Sequence, residues 1–128
     1  MRRRLLLLAS LCLLLPVAAC DEPTGPDGLR ISVANQHVDI ENVGDDPVYT
    51  VAFDLELLAT VDLAPPCIAE SCGRILPGAT RRYTYEELAT APGSTVRVFY
   101  WRAVLDGLTP VPGPMHHRDI PIPPIAFP

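Results

Sequence analysis

Apolar and polar residues alternate with period two in several short runs of this chain, and turn-forming clusters interrupt the alternation every 8–12 residues or so. Leu29-Arg30-Ile31-Ser32-Val33 reads as a half-buried strand, because successive side chains on a strand point to opposite faces. Asn35-Gln36 breaks it. Val38 and Ile40, and at the limit Val43, continue on a second strand, with Asp39 and Glu41 facing water. The turn formers of Asn42-Val43-Gly44-Asp45-Asp46-Pro47 then reverse the chain.

The clearest alternation starts at Val48. Tyr49, Val51, Phe53, Leu55 and Leu57 share one face, expected to be the core face, and Thr50, Asp54 and Glu56 share the other. A slip of one residue would bury Asp54 and Glu56, so the pattern predicts a strongly specified register. Residues 58–63 either extend this strand after a bend or form a short neighbour, until Pro65-Pro66 ends the ladder. Tyr83 and Tyr85 alternate with Thr84 and Glu86 on a further strand. From Val96 to about Leu105, large residues occupy both faces, which predicts a central strand or one covered on both sides. Asp106-Gly107 signals a hairpin, and the Pro-rich end from residue 109 to 128 adds an edge strand near residues 118–122 before fraying.

No window of ten or more residues beyond the first twenty holds a clean helical apolar period. About seven strands with regular turn signals predict an all-β fold, a single antiparallel β-sandwich, with a small barrel as the alternative.

The first twenty residues differ from all of this. Arg2, Arg3 and Arg4 precede an apolar run over residues 5–15, and Pro16 and small residues follow. A basic start, a short apolar stretch and a small-residue end form an export signal; spanning a bilayer needs about 20 apolar residues. Val17-Ala18-Ala19-Cys20 resembles the lipobox of bacterial lipoproteins. That resemblance implies a diacylglyceryl group on Cys20, cleavage before it, and a chain held on a membrane of the cell envelope by its acyl anchor. The domain plan is then a signal over residues 1–19, the lipidated Cys20 with a flexible linker to residue 28, a sandwich over residues 29–123, and a tail over residues 124–128. The linker is rich in Pro, Gly and acids, with no large apolar residue to pack.

Cleavage would leave 109 of 128 residues, enough for one domain. Three of the ten basic residues, all Arg, lie in the signal. Seven then stand against fifteen acids, a net charge of −8 that excludes nucleic acid and electrostatic docking on anionic headgroups. The acids are scattered and read as solvated faces.

Val38-Asp39-Ile40-Glu41-Asn42-Val43-Gly44 resembles the strand and Asn-x-Gly opening of bacterial immunoglobulin-like adhesion-type modules. Leu76-Pro77-Gly78-Ala79-Thr80 is similar to their Leu-x-Pro-Gly turn, which precedes a strand such as Tyr83-Thr84-Tyr85. The match covers residues 38–103. It implies an immunoglobulin-like β-sandwich used for display or binding, and it carries no catalytic residue across.

Cys67 and Cys72 remain after lipidation, in a chain sent to an oxidising compartment, so a structural disulfide is expected. Structural zinc usually takes four ligands, and thioredoxin-type pairs have two intervening residues where this pair has four. His116-His117, after Met115, are weak candidates for binding copper, but neighbours on a strand face opposite ways, and a mobile pair beside a turn is the expectation. Asp45 and Asp46 with Glu41 lack the spacing of a calcium loop and read as a solvated turn. Tyr100 and Trp101 could line a ligand groove, although aromatics in so apolar a strand read first as core. No nucleophile elbow, Ser-His-acid set or HExxH motif is present.

These residues point to a lipid-anchored envelope protein with no catalytic activity and no cofactor, acting as a structural or protein-interaction module with an envelope partner. The alternative is a periplasmic metal or small-ligand binder.

Overall fold

Strands supply almost all the regular structure in a computed structural model that describes residues 27–125. The expected export signal, Cys20 and most of the expected linker lie outside those residues. In chain order the elements are β1 (Leu29–Ala34), β2 (His37–Asn42), β3 (Val48–Asp54), a 3-10 turn (Leu57–Ala59), β4 (Arg74–Ile75), β5 (Thr80–Thr84), α1 (Tyr85–Leu88), β6 (Thr95–Trp101), β7 (Ala103–Asp106), β8 (Thr109–Pro112) and β9 (His116–Pro121).

Two antiparallel sheets face each other, with strand orders β1-β2-β5 and β4-β3-β6-β9. Among the described residues β7 and β8 pair only with one another. The fold is therefore an all-β antiparallel sandwich, with nine strands where about seven were expected; seven build the two sheets and two form the hairpin. The core between the sheets holds Leu29, Ile31, Val38, Ile40, Val96 and Val98. Leu88 of α1 is also fully buried in this cluster. α1 starts because Thr84 and Glu87 make reciprocal capping bonds, Glu87 N–H to Thr84 Oγ1 and Thr84 N–H to the Glu87 carboxylate.

Several expectations are corrected. The inward face of β3 carries Val48, Thr50, Ala52 and Asp54, whereas Val51 and Phe53 lie half-buried on the outer face. The buried polar groups are satisfied: Thr50 Oγ1 lies 2.8 Å from Tyr83 Oη, and Asp54 accepts from Thr90 Oγ1 at 2.8 Å and Glu56 N–H at 2.9 Å. Outer-face Tyr49 is buried as well, so both faces of β3 are covered at its start and alternation could not tell them apart.

β3 stops at Asp54, and residues 55–63 form turns and loop in place of a strand. Tyr85 opens the helix and does not extend β5. The expected strand from Val96 to Leu105 breaks at Arg102, whose side chain turns to the carbonyls of Asp46 and Asp27. Asp27 and Gly28 also belong to the fold, since Asp27 Oδ1 caps Leu29 N–H and Gly28 C=O accepts from Val43 N–H. β9 is an edge strand, as expected, and places His116 and His117 in a ladder, not in a mobile turn.

Candidate binding groove

β6 is central in its sheet, as its two large-residue faces require. On the outer face Trp101 stacks on Tyr49, with ring centroids 6.2 Å apart, and donates its indole N–H to Cys67 C=O at 2.8 Å. The segment after β3 thus folds back over the outer face. Cys67 and Cys72 are joined as a disulfide, with Cα atoms 5.9 Å apart, within the usual range for this bond. The bond closes the loop that covers Trp101.

The same segment leaves one side of β3 open. Leu55 N–H reaches Thr95 C=O, so odd-numbered residues of β3 turn their backbone groups to β6 and even-numbered ones turn theirs away. On that away side, β4 pairs only with Val48 and Tyr49, and Thr50 N–H then donates to Gly73 C=O at 3.1 Å. Gly73 has φ +75°, and a Cβ there would collide with the Thr50 carbonyl oxygen, so only glycine permits this approach. Thr50 C=O also accepts from Tyr83 Oη at 3.2 Å. Among the described residues, no strand lies alongside the rest of this edge.

A groove of about 600 Å³ opens there, walled by Val51, Phe53, Val61, Leu63 and Pro65. Arg81, Glu87 and Asp62 supply its charges. The Arg81 guanidinium lies 4.4 Å over the Tyr83 ring. Glu87 is held below the usual carboxylate range by the Thr84 backbone N–H, so its role is spent on the helix cap. Apolar walls with a few charged groups suit an extended segment or a small ligand, and none of the groups here makes a nucleophile–base pair.

The residues singled out from sequence are not brought together. His116 pairs across to Tyr100 and His117 to Phe99, on opposite faces of β9. Among the described residues no cluster of three or more His, Cys, Asp or Glu could hold a metal ion. Asp45 and Asp46 are exposed. Trp101 lines the groove, while Tyr100 and Trp101 line a second hollow beside Asp27 and Arg102.

Sequence reasoning missed the weight of Asn42, Thr50, Gly73 and Tyr83. The Thr84-Tyr85-Glu86-Glu87 capping signature could have revealed the helix; nothing local marks Gly73. No protein family, curated protein or solved structure matches the chain. No helix of the described residues is long and apolar enough to cross a membrane.

Proposed function

We propose that this chain is a lipid-anchored protein of a bacterial envelope and a protein-interaction module without catalytic activity or cofactor, taking an extended segment of an envelope partner along β3. The open edge of β3 above the groove carries this reading. A strand added to a sheet edge gains affinity from main-chain hydrogen bonds and specificity from the pockets its alternate side chains meet. Ala52 turns its N–H and C=O to the open side, Val51 and Phe53 wall the groove, and Arg81 gives the incoming segment a charge to pair with. The anchor half rests on the Cys20 motif and the run before it; two acyl chains hold a protein where one binds only reversibly.

A small ligand is the second reading, favoured by the groove's volume, which falls within the range of small-ligand sites. A metal-binding version is not favoured, because His116 and His117 diverge.

Site-directed photocrosslinking in intact cells tests the reading, with the photoreactive side chain at Leu63 or Phe53 and, as control, at exposed Ser32 of β1. A discrete adduct from the groove positions that Ser32 does not give, and that Val51→Arg abolishes, is the expected result. Adducts of equal yield from all three positions would overturn it. Palmitate labelling tests the anchor separately: label is expected in the wild type and absent from Cys20→Ser.

A further inference from the structure

The hairpin β7–β8 projects more apolar surface than a two-stranded ribbon in water should. Leu108 is 96% exposed and Leu105 71% exposed, and among the described residues no third strand supports them. A lone two-stranded hairpin is marginal in water. Its turn is formed by Gly107 and Leu108, one residue beyond the Asp106-Gly107 signal; positive φ at Gly107 (+64°) puts glycine first in the turn and the Leu108 side chain at the tip. Ala103, Leu105, Pro110 and Pro112 share one wholly apolar face. Between Arg102 and His116 the only ionisable side chain is Asp106.

The hairpin leaves the sandwich at the end where the chain enters it. β1 begins there and β6 ends there, and Arg102 joins the two. Its Nη2 donates to Asp27 C=O at 3.0 Å, and its own C=O accepts from Gly113 N–H at 2.7 Å to close the hairpin base. Leu76, in the turn between β4 and β5, and Met115, before β9, are exposed at this same end. Of the large apolar residues exposed in the described chain, only Leu63 and Ile125 lie elsewhere. The opposite end presents Asn35, Gln36, Glu86 and Glu87, with Ile125 beside Asn35.

Seven residue steps separate Cys20 from Asp27, a covalent reach of at most about 25 Å. Each strand of the hairpin extends only about 10 Å from its base. A hairpin so placed lies within reach of whatever surface holds Cys20.

We infer that the β7–β8 hairpin is a membrane-contact device, inserting Leu105 and Leu108 into the interface of the bilayer that carries the anchor. The inference rests on the lipid-anchor reading proposed above. Reach from the anchor selects lipid over a strand partner. Thr109 and Val111 turn their N–H groups inward to β7, and Pro110 and Pro112 sit where outward donors would be, so β8 has no donor for a strand of a second copy, while Ala103 and Leu105 on the β7 edge keep theirs. With Asp106 at the tip and no basic residue in the hairpin, contact is apolar, and added salt does not weaken it.

The test uses full-length protein expressed with its signal, purified from membranes and reconstituted into phosphatidylethanolamine–phosphatidylglycerol vesicles, some with brominated acyl chains. Leu108→Trp places an indole at the tip, and Glu86→Trp places one at the far end; the wild type supplies the Trp101 background. Expected is a blue-shifted emission from Leu108→Trp that brominated chains largely quench, unchanged in high salt, with no quenching of Glu86→Trp. Leu105→Trp is the second variant, expected to behave alike. Vesicle-bound protein whose Leu108→Trp and Leu105→Trp emission escapes quenching overturns the inference while leaving the anchor standing. A blue shift without bromine quenching means that protein covers the tip, and also overturns it. Recovery of the protein in the soluble fraction with no lipid attached removes the anchor reading, and the inference with it.

Discussion

Asn42 is completely buried, and every hydrogen-bonding group it owns is used. Its Nδ2 donates to Asp46 C=O at 2.8 Å and Ile75 C=O at 2.9 Å, Oδ1 accepts from Gly44 N–H at 3.0 Å, and its backbone bonds Ala79 C=O and Gly78 N–H. One side chain thus ties the 43–47 turn to the end of β4. Asn42→Ala takes these partners from Ile75 C=O and Gly44 N–H, while Asp46 C=O keeps Arg102, and each buried orphan costs about 1–3 kcal/mol. We expect the mutant to lose about 3 kcal/mol in urea unfolding, and a loss too small to measure would refute this account. Gly73→Ala should be as severe through a different cause, a methyl driven into Thr50 C=O at φ +75°. None of this was legible beforehand. Asn42 and Gly44 stand in a run of turn formers, and reading them as a turn is correct as far as it goes; that Asn42 would be the buried organiser depends on Ile75, 33 positions away.

At the scale of elements, the disulfide loop and the cross-strand ion pairs make separate contributions. Cys67 and Cys72 close a short loop, for which the chain-entropy account gives about 2 kcal/mol. Reduction should lower the melting temperature by about 10 °C, shift the Trp101 emission as Cys67 C=O moves off the indole, and leave the sandwich folded. Complete unfolding on reduction would contradict the two-sheet core. Asp39 and Asp119 sit directly across from Arg82 and Arg97 in the ladders, with Oδ1–Nε distances of 2.9 and 2.7 Å. The guanidinium hydrogen bonds hold both carboxyls below their usual range. Their stabilisation is therefore complete above the unfolded value near pH 4, and is lost as pH falls through the lower folded values. Urea midpoints should fall with acidification below about pH 4, and less steeply in the Asp39→Asn, Asp119→Asn double mutant. β3 shows where alternation misleads. Its period was read correctly and its faces were exchanged, because a loop covers Tyr49 and Trp101 outside while Tyr83 and Thr90 satisfy Thr50 and Asp54 inside. Period reports that a strand alternates; it carries no label for the layer that buries each side.

For the whole molecule, the antiparallel sandwich was legible because turn chemistry recurs at strand spacing, and Pro77-Gly78 and Gly107 do bend the chain near the places expected. The open edge of β3 and the grouping of apolar residues at one end were not, since both depend on which strands become neighbours. The two ends of the sandwich also bear on stability. Ile122, just past β9, is buried and bonds Ser94 C=O and Gly93 N–H at the end opposite Asp27. Ile122→Ala should cost about 2–4 kcal/mol by opening a cavity and loosening that closure, read as a drop in thermal midpoint with far-ultraviolet signal retained at low temperature.

The placement of Asp27 and Ile122 at opposite ends has a mechanical consequence. Tension applied between them runs along the strand axes. Such a pull shears β1 against β2, loading the ladder bonds from Leu29–Asn42 to Ala34–His37 together instead of peeling them singly. Before that ladder bears any force, the grip of Arg102 on Asp27 C=O and of Val43 N–H on Gly28 C=O has to give. The chain is thus built to resist pulling at the end where Asp27 enters the fold.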